Sequence, residues 1–275
     1  ARRPRRVAAC ASASPPPSLL SAFCPLLTAL GGGDPSEPRN KFMETLTSGL
    51  ASVARLPFGV EAQQRAPSPP PPEQLVLYEF EACPFCRRVR EALVDLDLSV
   101  TVRPCPKGAQ RHRREVLERG GKEVFPFLVD EAAGVSLYES QDIVDYLYTT
   151  YGPEGAKASE WLCKSTPLTG WMPTLLRVGR GMARFERASA EAPPQALELY
   201  NYEGNQFARL VREALCELEL PYVCRAAGKG SPNRETLRGV SGATQVPFLV
   251  DPNTGLQMAE SLDIVQYLFQ TYGSA

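Results

Sequence analysis

Histidine is almost missing from this chain: its 275 residues include one, His112. The set with metal-ligand spacing is Cys83, Cys86, Cys105 and His112, which loosely resembles a zinc site. Pro84-Phe85 and the helical periodicity that follows at once fit a redox turn better, and Cys105 with His112 makes a poor second half, so no metal is expected. Net charge is missing too. At −1 overall, the chain gives no reason to expect nucleic acid or an anionic membrane surface as partner. Long apolar runs are absent as well. Leu19–Leu30 spans about 12 residues around Pro25, whereas about 20 are needed for a membrane helix, and no transmembrane segment is expected. Of eight cysteines only Cys83 and Cys86 lie close together, which excludes a disulfide framework and fits a reduced compartment holding one reactive pair. The remaining composition, 43% hydrophobic and 22% charged, is that of globular protein of about two domains.

Acidic residues are absent before Asp34, while Arg2, Arg3, Arg5 and Arg6 open an Ala-, Ser- and Pro-rich stretch. That is the composition of an organelle transit peptide. Residue 1 is Ala, so the chain is expected to begin inside such a leader. A chloroplast (plastid) address is expected first and a mitochondrial one second. A secretory signal and a plain disordered tail are the competing readings.

What the chain does have is a repeat. EACPFCRRVRE, from Glu81 to Glu91, returns about 122 positions later as EGNQFARLVRE, from Glu203 to Glu213, with both cysteines gone. FPFLVD and VPFLVD, then ES-x-DIV and TYG, recur at matching separations, so the chain is an internal duplication. Within each unit of about 78 residues, strand and helix periods give the order β-α-β-α-β-β-α. Ser140 and Ser261 read as caps of the last helix. Pro-rich stretches precede both units. Thr47, Arg55 and Gly59 align with Thr169, Arg177 and Gly181, which gives each unit an N-terminal helical arm; two unrelated linker helices are the plainer reading. A membrane-surface role for these basic-apolar arms is a further, minor reading. The expected division is leader 1–40, arm and linker 41–73, first domain 74–153, helical connector 154–195 and second domain 196–275.

A C-x-x-C that follows a strand and opens a helix puts its first sulfur at the helix N-terminus, where unpaired N–H groups and the dipole favour a thiolate. Cys83 is that residue, Cys86 lies within the first turn, Pro84 suits the first helical position, and Arg87 and Arg88 add positive charge. Pro126 and its copy Pro247 each head a strand, where a bend or a cis peptide is expected. Glu139-Ser140 and Glu260-Ser261 stand at helix starts, which fit either a plain cap or an anion site for a carboxylate. Cys216 and Cys224 read as core residues.

Together, strand–CPFC–helix, a proline before FLVD and ES-x-DIV-x-YL resemble the thioredoxin-like N-terminal domain of glutathione transferases, over residues 75–152 and 197–273. The turn resembles glutaredoxin and the cysteine-type transferases, including dehydroascorbate reductases; the tandem resembles plastid proteins of plants and algae with two such domains. The resemblance implies an α/β fold of two thioredoxin-like domains, Cys83 as nucleophile and Cys86 as resolving thiol. It implies Pro126 as the cis-proline, Phe125 backbone on the cysteinyl part of glutathione, and Glu139 and Ser140 on its γ-glutamyl end. Val246, Pro247, Glu260 and Ser261 keep the binding groups in the second copy, whereas Asn205 and Ala208 replace both thiols. The second copy is therefore expected either to bind glutathione without chemistry or, the favoured reading, to pack in place of a lost helical domain. Two departures stand out: Glu79 and Glu81 oppose a thiolate at Cys83, and no all-helical substrate domain follows Gly152, which speaks against conjugation of bulky electrophiles. The leading expectation is a glutathione-linked thiol–disulfide oxidoreductase acting on small-molecule or protein disulfides. The alternative is a non-catalytic binding or assembly scaffold; an iron–sulfur cluster held by Cys83 and glutathione is a third reading.

Overall fold

A computed structural model describes Ser36 and residues 40–273; apart from Ser36 and Asn40, the leader lies outside the described residues. The first arm is α1 (Lys41–Val53), started by Asn40, whose Oδ1 accepts the amides of Phe42 and Met43. The first copy then runs β1 (Leu75–Glu79), α2 (Pro84–Asp95), β2 (Val100–Pro104), α3 (His112–Gly120), β3 (Phe127–Asp130), β4 (Val135–Leu137) and α4 (Ser140–Tyr151). A connector of α5 (Glu160–Thr169) and α6 (Met172–Leu176) leads to the second copy. There β5 (Leu197–Asn201), α7 (Gln206–Glu217), β6 (Tyr222–Ala226), α8 (Asn233–Ser241), β7 (Phe248–Asp251), β8 (Leu256–Ala259) and α9 (Ser261–Tyr272) repeat the order. The expected β-α-β-α-β-β-α alternation is thus present twice. One expectation is corrected. Ser140 and Ser261 are the first helical residues, not caps; Glu139 and Glu260 hold the cap positions without a side-chain bond to the helix.

The two copies form one sheet of eight strands in the order β4-β3-β1-β2-β6-β5-β7-β8. Within each copy the first two strands pair parallel, and the third and fourth add antiparallel on the other side of the first. The seam is β2 against β6, antiparallel, with Val100 opposite Cys224 and Val102 opposite Tyr222. Each of these strands would be an open edge in a lone copy, and each covers the other. The apolar core is shared too: Leu77, Val89 and Leu93 belong to one cluster with Leu199, Val211 and Leu215. α2 and α7 therefore meet on one face of the sheet.

Where they meet, the residues are charged. Arg87, Arg90, Arg209, Arg212, Glu79, Glu81 and Glu203 are each at most 5% exposed. The ties cross the seam between copies. Arg90 Nε donates to Glu203 Oε2 at 2.7 Å, and its repeat partner Arg212 Nε donates to Glu81 Oε2 at 3.0 Å. The copies differ at one strand end, where Arg90 pairs with Glu79 but Arg212 finds the neutral Asn201 Oδ1. Four guanidinium groups thus face three carboxylates. Arg209 is the loosely held cation: Glu203 lies 3.8 Å away and burial pulls its pKa down to about 10.

The arms close this cluster from outside, and they are exchanged. α1 packs on α7 of the second copy and α5 on α2 of the first. Arg55 donates to both Glu91 oxygens and, through Nη1, to Thr169 Oγ1 at 2.8 Å. Its counterpart Arg177 donates to Glu213 at 2.8 and 2.7 Å and to Thr47 Oγ1 at 2.6 Å. The aligned Thr, Arg and Gly of the two arms are thus one contact made twice. Gly59 and Gly181 complete it, at φ +67 and +72, where an added Cβ would lie 2.9 Å from Glu203 Cβ and 2.7 Å from Glu81 Cβ.

The cluster makes stability depend on pH. Glu203, although buried, is held below the usual carboxylate range by Arg212, Arg90, Arg209 and Arg87. Glu79 goes the other way: burial, then Glu81 and Glu203, outweigh Arg90 and push it from 4.5 up to about 7. A carboxyl whose folded pKa is raised stabilises the fold fully below about 4.5 and loses that contribution as pH climbs through about 7. Urea midpoints should therefore fall between pH 5 and 8 in the wild type, and Glu79→Gln should flatten that decline.

Candidate active site

The strand registers bring the three sequence motifs to one end of the first copy's sheet. β1 ends at Glu79 and leads to Cys83; Phe127 at the start of β3 is opposite Tyr78; Leu137 at the end of β4 is opposite Leu128. Cys83, the cis peptide Phe125–Pro126 and the Glu139-Ser140 helix start therefore emerge together. Phe80 and Phe125 touch edge to face across this end, with ring centroids 6.2 Å apart. Phe125 is half-buried, Glu139 exposed and Ser140 buried.

Cys83 is the N-cap of α2, with Pro84 as first helical residue, and its Sγ accepts the Cys86 amide at 3.4 Å. Burial works against ionisation there. The Cys86 thiol and the amides of Cys86 and Phe85 outweigh it, so the Cys83 pKa is lowered. Cys86 has the opposite shift: burial, and its place as donor to Cys83, push it well above the ordinary thiol range. The two thiols thus shift in opposite directions, ionisation being easier at Cys83 than at Cys86, with Cys83 4% exposed and Cys86 fully buried.

Two charge assignments change. Glu79 does oppose the Cys83 thiolate, but less than the hydrogen bonds favour it. Glu81 is held by Arg212 and Arg90. Arg87, expected to add charge beside Cys83, instead donates to Glu203 Oε1 at 3.1 Å, Gly170 O at 2.7 Å and Glu81 O at 3.3 Å. The reason is that α2 faces the partner copy on the side where a surface helix would face water.

The connector, which the motifs did not assign to the site, covers it. Thr174 Oγ1 donates to Ala82 O, Phe85 meets Trp171 edge to face at 6.4 Å, and a Cβ on Gly170 would lie 3.2 Å from Pro84 Cβ. Only the Thr–Arg–Gly spacing shared with the first arm hinted at this contact.

In the second copy Asn205 takes the place of Cys83 as N-cap and its Oδ1 accepts the amides of Phe207 at 2.9 Å and Ala208 at 2.8 Å. Those donors are satisfied from within. Val246–Pro247 is cis and Ser261 is buried, as in the first copy, but Glu260 Oε1 accepts Gln245 Nε2 at 2.9 Å, where the first copy has Val124. Glu260 also carries a φ of +68. Cys216 is buried, whereas Cys224 is half-buried at the seam, accepting from Asn201 Nδ2 at 3.3 Å. Among the described residues no three His, Cys, Asp or Glu side chains gather as a metal site, and no helix is long and apolar enough to cross a membrane. Cys105 donates to Arg103 O and His112 Nδ1 lies 2.9 Å from Pro104 O.

Comparison with known proteins adds family evidence. The model of the family described as "Glutathione S-transferase, N-terminal domain" matches residues 77–155 and again 199–275. No curated protein matches the chain. A solved structure of a trimeric glutathione transferase from Leishmania aligns at 17% identity over 73% of this chain and 67% of its own, with a TM-score of 0.27. A likeness that weak says nothing of function.

The thiol assignment has a direct check. Following thiolate absorbance or alkylation against pH should show one group ionising below the free-cysteine range, lost in Cys83→Ser. Glu79→Gln, which removes a negative charge acting on that sulfur, should shift the transition lower still. A transition at or above the free-cysteine range would contradict the assignment.

Proposed function

The chain belongs to the glutathione S-transferase N-terminal domain family, with two copies of the domain, and from that membership we propose a glutathione-linked thiol–disulfide oxidoreductase centred on Cys83. One observation carries the reading: Cys83 caps α2 with a lowered pKa, while burial and the bond to Cys83 push its neighbour Cys86 well above the ordinary thiol range. The Cys83 thiolate attacks the glutathionyl sulfur of a mixed disulfide, forming a Cys83–glutathione disulfide and expelling the other sulfur as thiolate. A second glutathione thiolate then attacks the glutathionyl sulfur, giving oxidised glutathione and restoring the Cys83 thiolate. Alternatively Cys86 gives up its proton and attacks Cys83, releasing glutathione and leaving an internal disulfide. The raised pKa of Cys86 favours the first route. Phe125, Pro126, Glu139 and Ser140 are the residues proposed to hold the tripeptide, since they share the sheet end with Cys83. The second copy is proposed to pack, because its helix start is capped by Asn205 and its Glu260 is taken by Gln245. A plastid location, from the leader's composition, belongs to the same proposal.

A second reading has its own observation. The connector leaves Cys83 4% exposed, which suits a scaffold whose thiol turn is structural. Glutathione-dependent reduction of a small mixed disulfide and of dehydroascorbate separates the two. The oxidoreductase reading expects turnover in the wild type and a loss of about 10³-fold or more in Cys83→Ser. Cys86→Ser should retain most of the activity by the glutathione route. No turnover in the wild type would leave the scaffold.

A further inference from the structure

The duplication carries its own control for Glu79. Glu79 ends β1 just before the thiols, and its counterpart Asn201 ends β5 just before the turn that lost them. Each faces the matching arginine of its own copy, Arg90 or Arg212. In the second copy an amide suffices there. Asn201 Oδ1 accepts from Arg212 at 3.1 Å, and Tyr202 O and Glu203 O accept from the same guanidinium at 3.2 and 3.1 Å. The arginine therefore requires no carboxyl at this strand end. A carboxyl only 3% exposed is nonetheless present in the copy that has the cysteines. Burying one is costly, and buried carboxyls of shifted pKa gather where protons are moved.

Its place fits that use. The Cys83 amide donates to Phe80 O at 3.1 Å, and the amide of Phe80 turns to the Cys86 sulfur. The residue next to Glu79 thus meets both members of the pair, and the Glu79 charge acts on both sulfurs. Arg90 and Arg212 favour its carboxylate, burial with Glu81 and Glu203 opposes it, and the balance leaves it titrating at about 7. The other groups that feel Glu79 are Cys105, Cys216, Cys224 and Tyr222, all pushed above their ordinary range by burial.

We propose that Glu79 is the proton acceptor for Cys86 when the Cys83–glutathione disulfide is resolved from within, a role that rests on the oxidoreductase reading above. The Glu79 carboxylate takes the Cys86 proton, and the Cys86 thiolate attacks the Cys83 sulfur. The bond from Cys83 to glutathione breaks and glutathione leaves as thiolate. Cys83 and Cys86 are oxidised to their disulfide while the glutathionyl sulfur is reduced. When a glutathione thiolate later attacks Cys83, Cys86 is expelled and takes its proton back from Glu79. Charge sets the timing. In the resting site the hydrogen bond to Cys83, the Cys83 charge and the Glu79 charge all hold the Cys86 pKa up. The first two end when Cys83 is tied to glutathione, and the third ends as Glu79 accepts the proton. The glutathione route needs no such help, so Glu79 decides how readily the internal route competes with it.

Single turnover of the reduced full chain with oxidised glutathione, acid-quenched and read by mass spectrometry from about pH 5 to 9, follows both steps. In the wild type, closure of the Cys83–glutathione disulfide to the internal one should speed up to about pH 7 and then level. Glu79→Gln, and Glu79→Asn in parallel, should slow closure by about 100-fold and remove that inflection. The same variants should speed the first step at low pH, because Cys83 then ionises more readily. Closure at the wild-type rate with the inflection kept would overturn the proposal. So would equal slowing of both steps, which is the mark of a merely structural role. A wild type that forms the mixed disulfide but never closes it overturns the proposal and leaves the oxidoreductase reading standing. Absence of any Cys83–glutathione disulfide overturns both.

Discussion

Seven buried charged side chains between α2 and α7 are the constraint on which the rest of the molecule depends. Taking that many charges out of water is costly, and the cost is offset only when every carboxylate meets guanidinium groups in good geometry. Glu81 and Glu203 each meet a guanidinium group of their own copy and one of the other, so each copy supplies half of the other's pairing. The seam strands β2 and β6 obey the same logic with backbone groups. The duplication is thus a structural necessity in this chain: each copy is the other's missing wall.

That constraint also explains the lost cysteines. α2 and α7 must present the same Arg-x-x-Arg-Glu face to each other, so that stretch is retained in both copies. The cap residue above it is free to differ. In the second copy Asn205 uses an amide oxygen to hold two backbone N–H groups, as Cys83 uses a sulfur to hold one. An oxygen cap serves the helix as well and carries no redox chemistry. The paired thiols are then confined to one end of one copy, under a connector that the other copy helps to position.

Much of this was legible in the residues. Apolar periods and turn residues marked most of the fourteen repeated elements, while α3 and α8 were legible only as polar segments between strands. CPFC after a strand placed Cys83 at a helix cap, and a proline heading FLVD pointed to a bend or a cis peptide at Pro126 and Pro247, of which the structure has the cis peptide at both. What could not be read was where the charges go. Arg87, Arg90 and Glu91 have the pattern of a solvated helix face, and only tertiary contact shows them buried against Glu203 and Arg55. The same blindness made Glu79 and Glu81 look like simple opponents of the thiolate. The Ser140 and Ser261 caps failed for a local reason: the preceding glutamates adopt the non-helical backbone that the cap position needs.

The central claim is that the copies stand or fall together through this cluster. Hydrogen exchange of Glu203→Gln, read separately over 75–79 and 197–201, tests it most directly. Removing that one carboxylate charge should lower the protection of both strands by the same amount, of order 3–5 kcal/mol for a broken buried ion pair. Loosening confined to 197–201, with 75–79 as protected as in the wild type, would contradict the account.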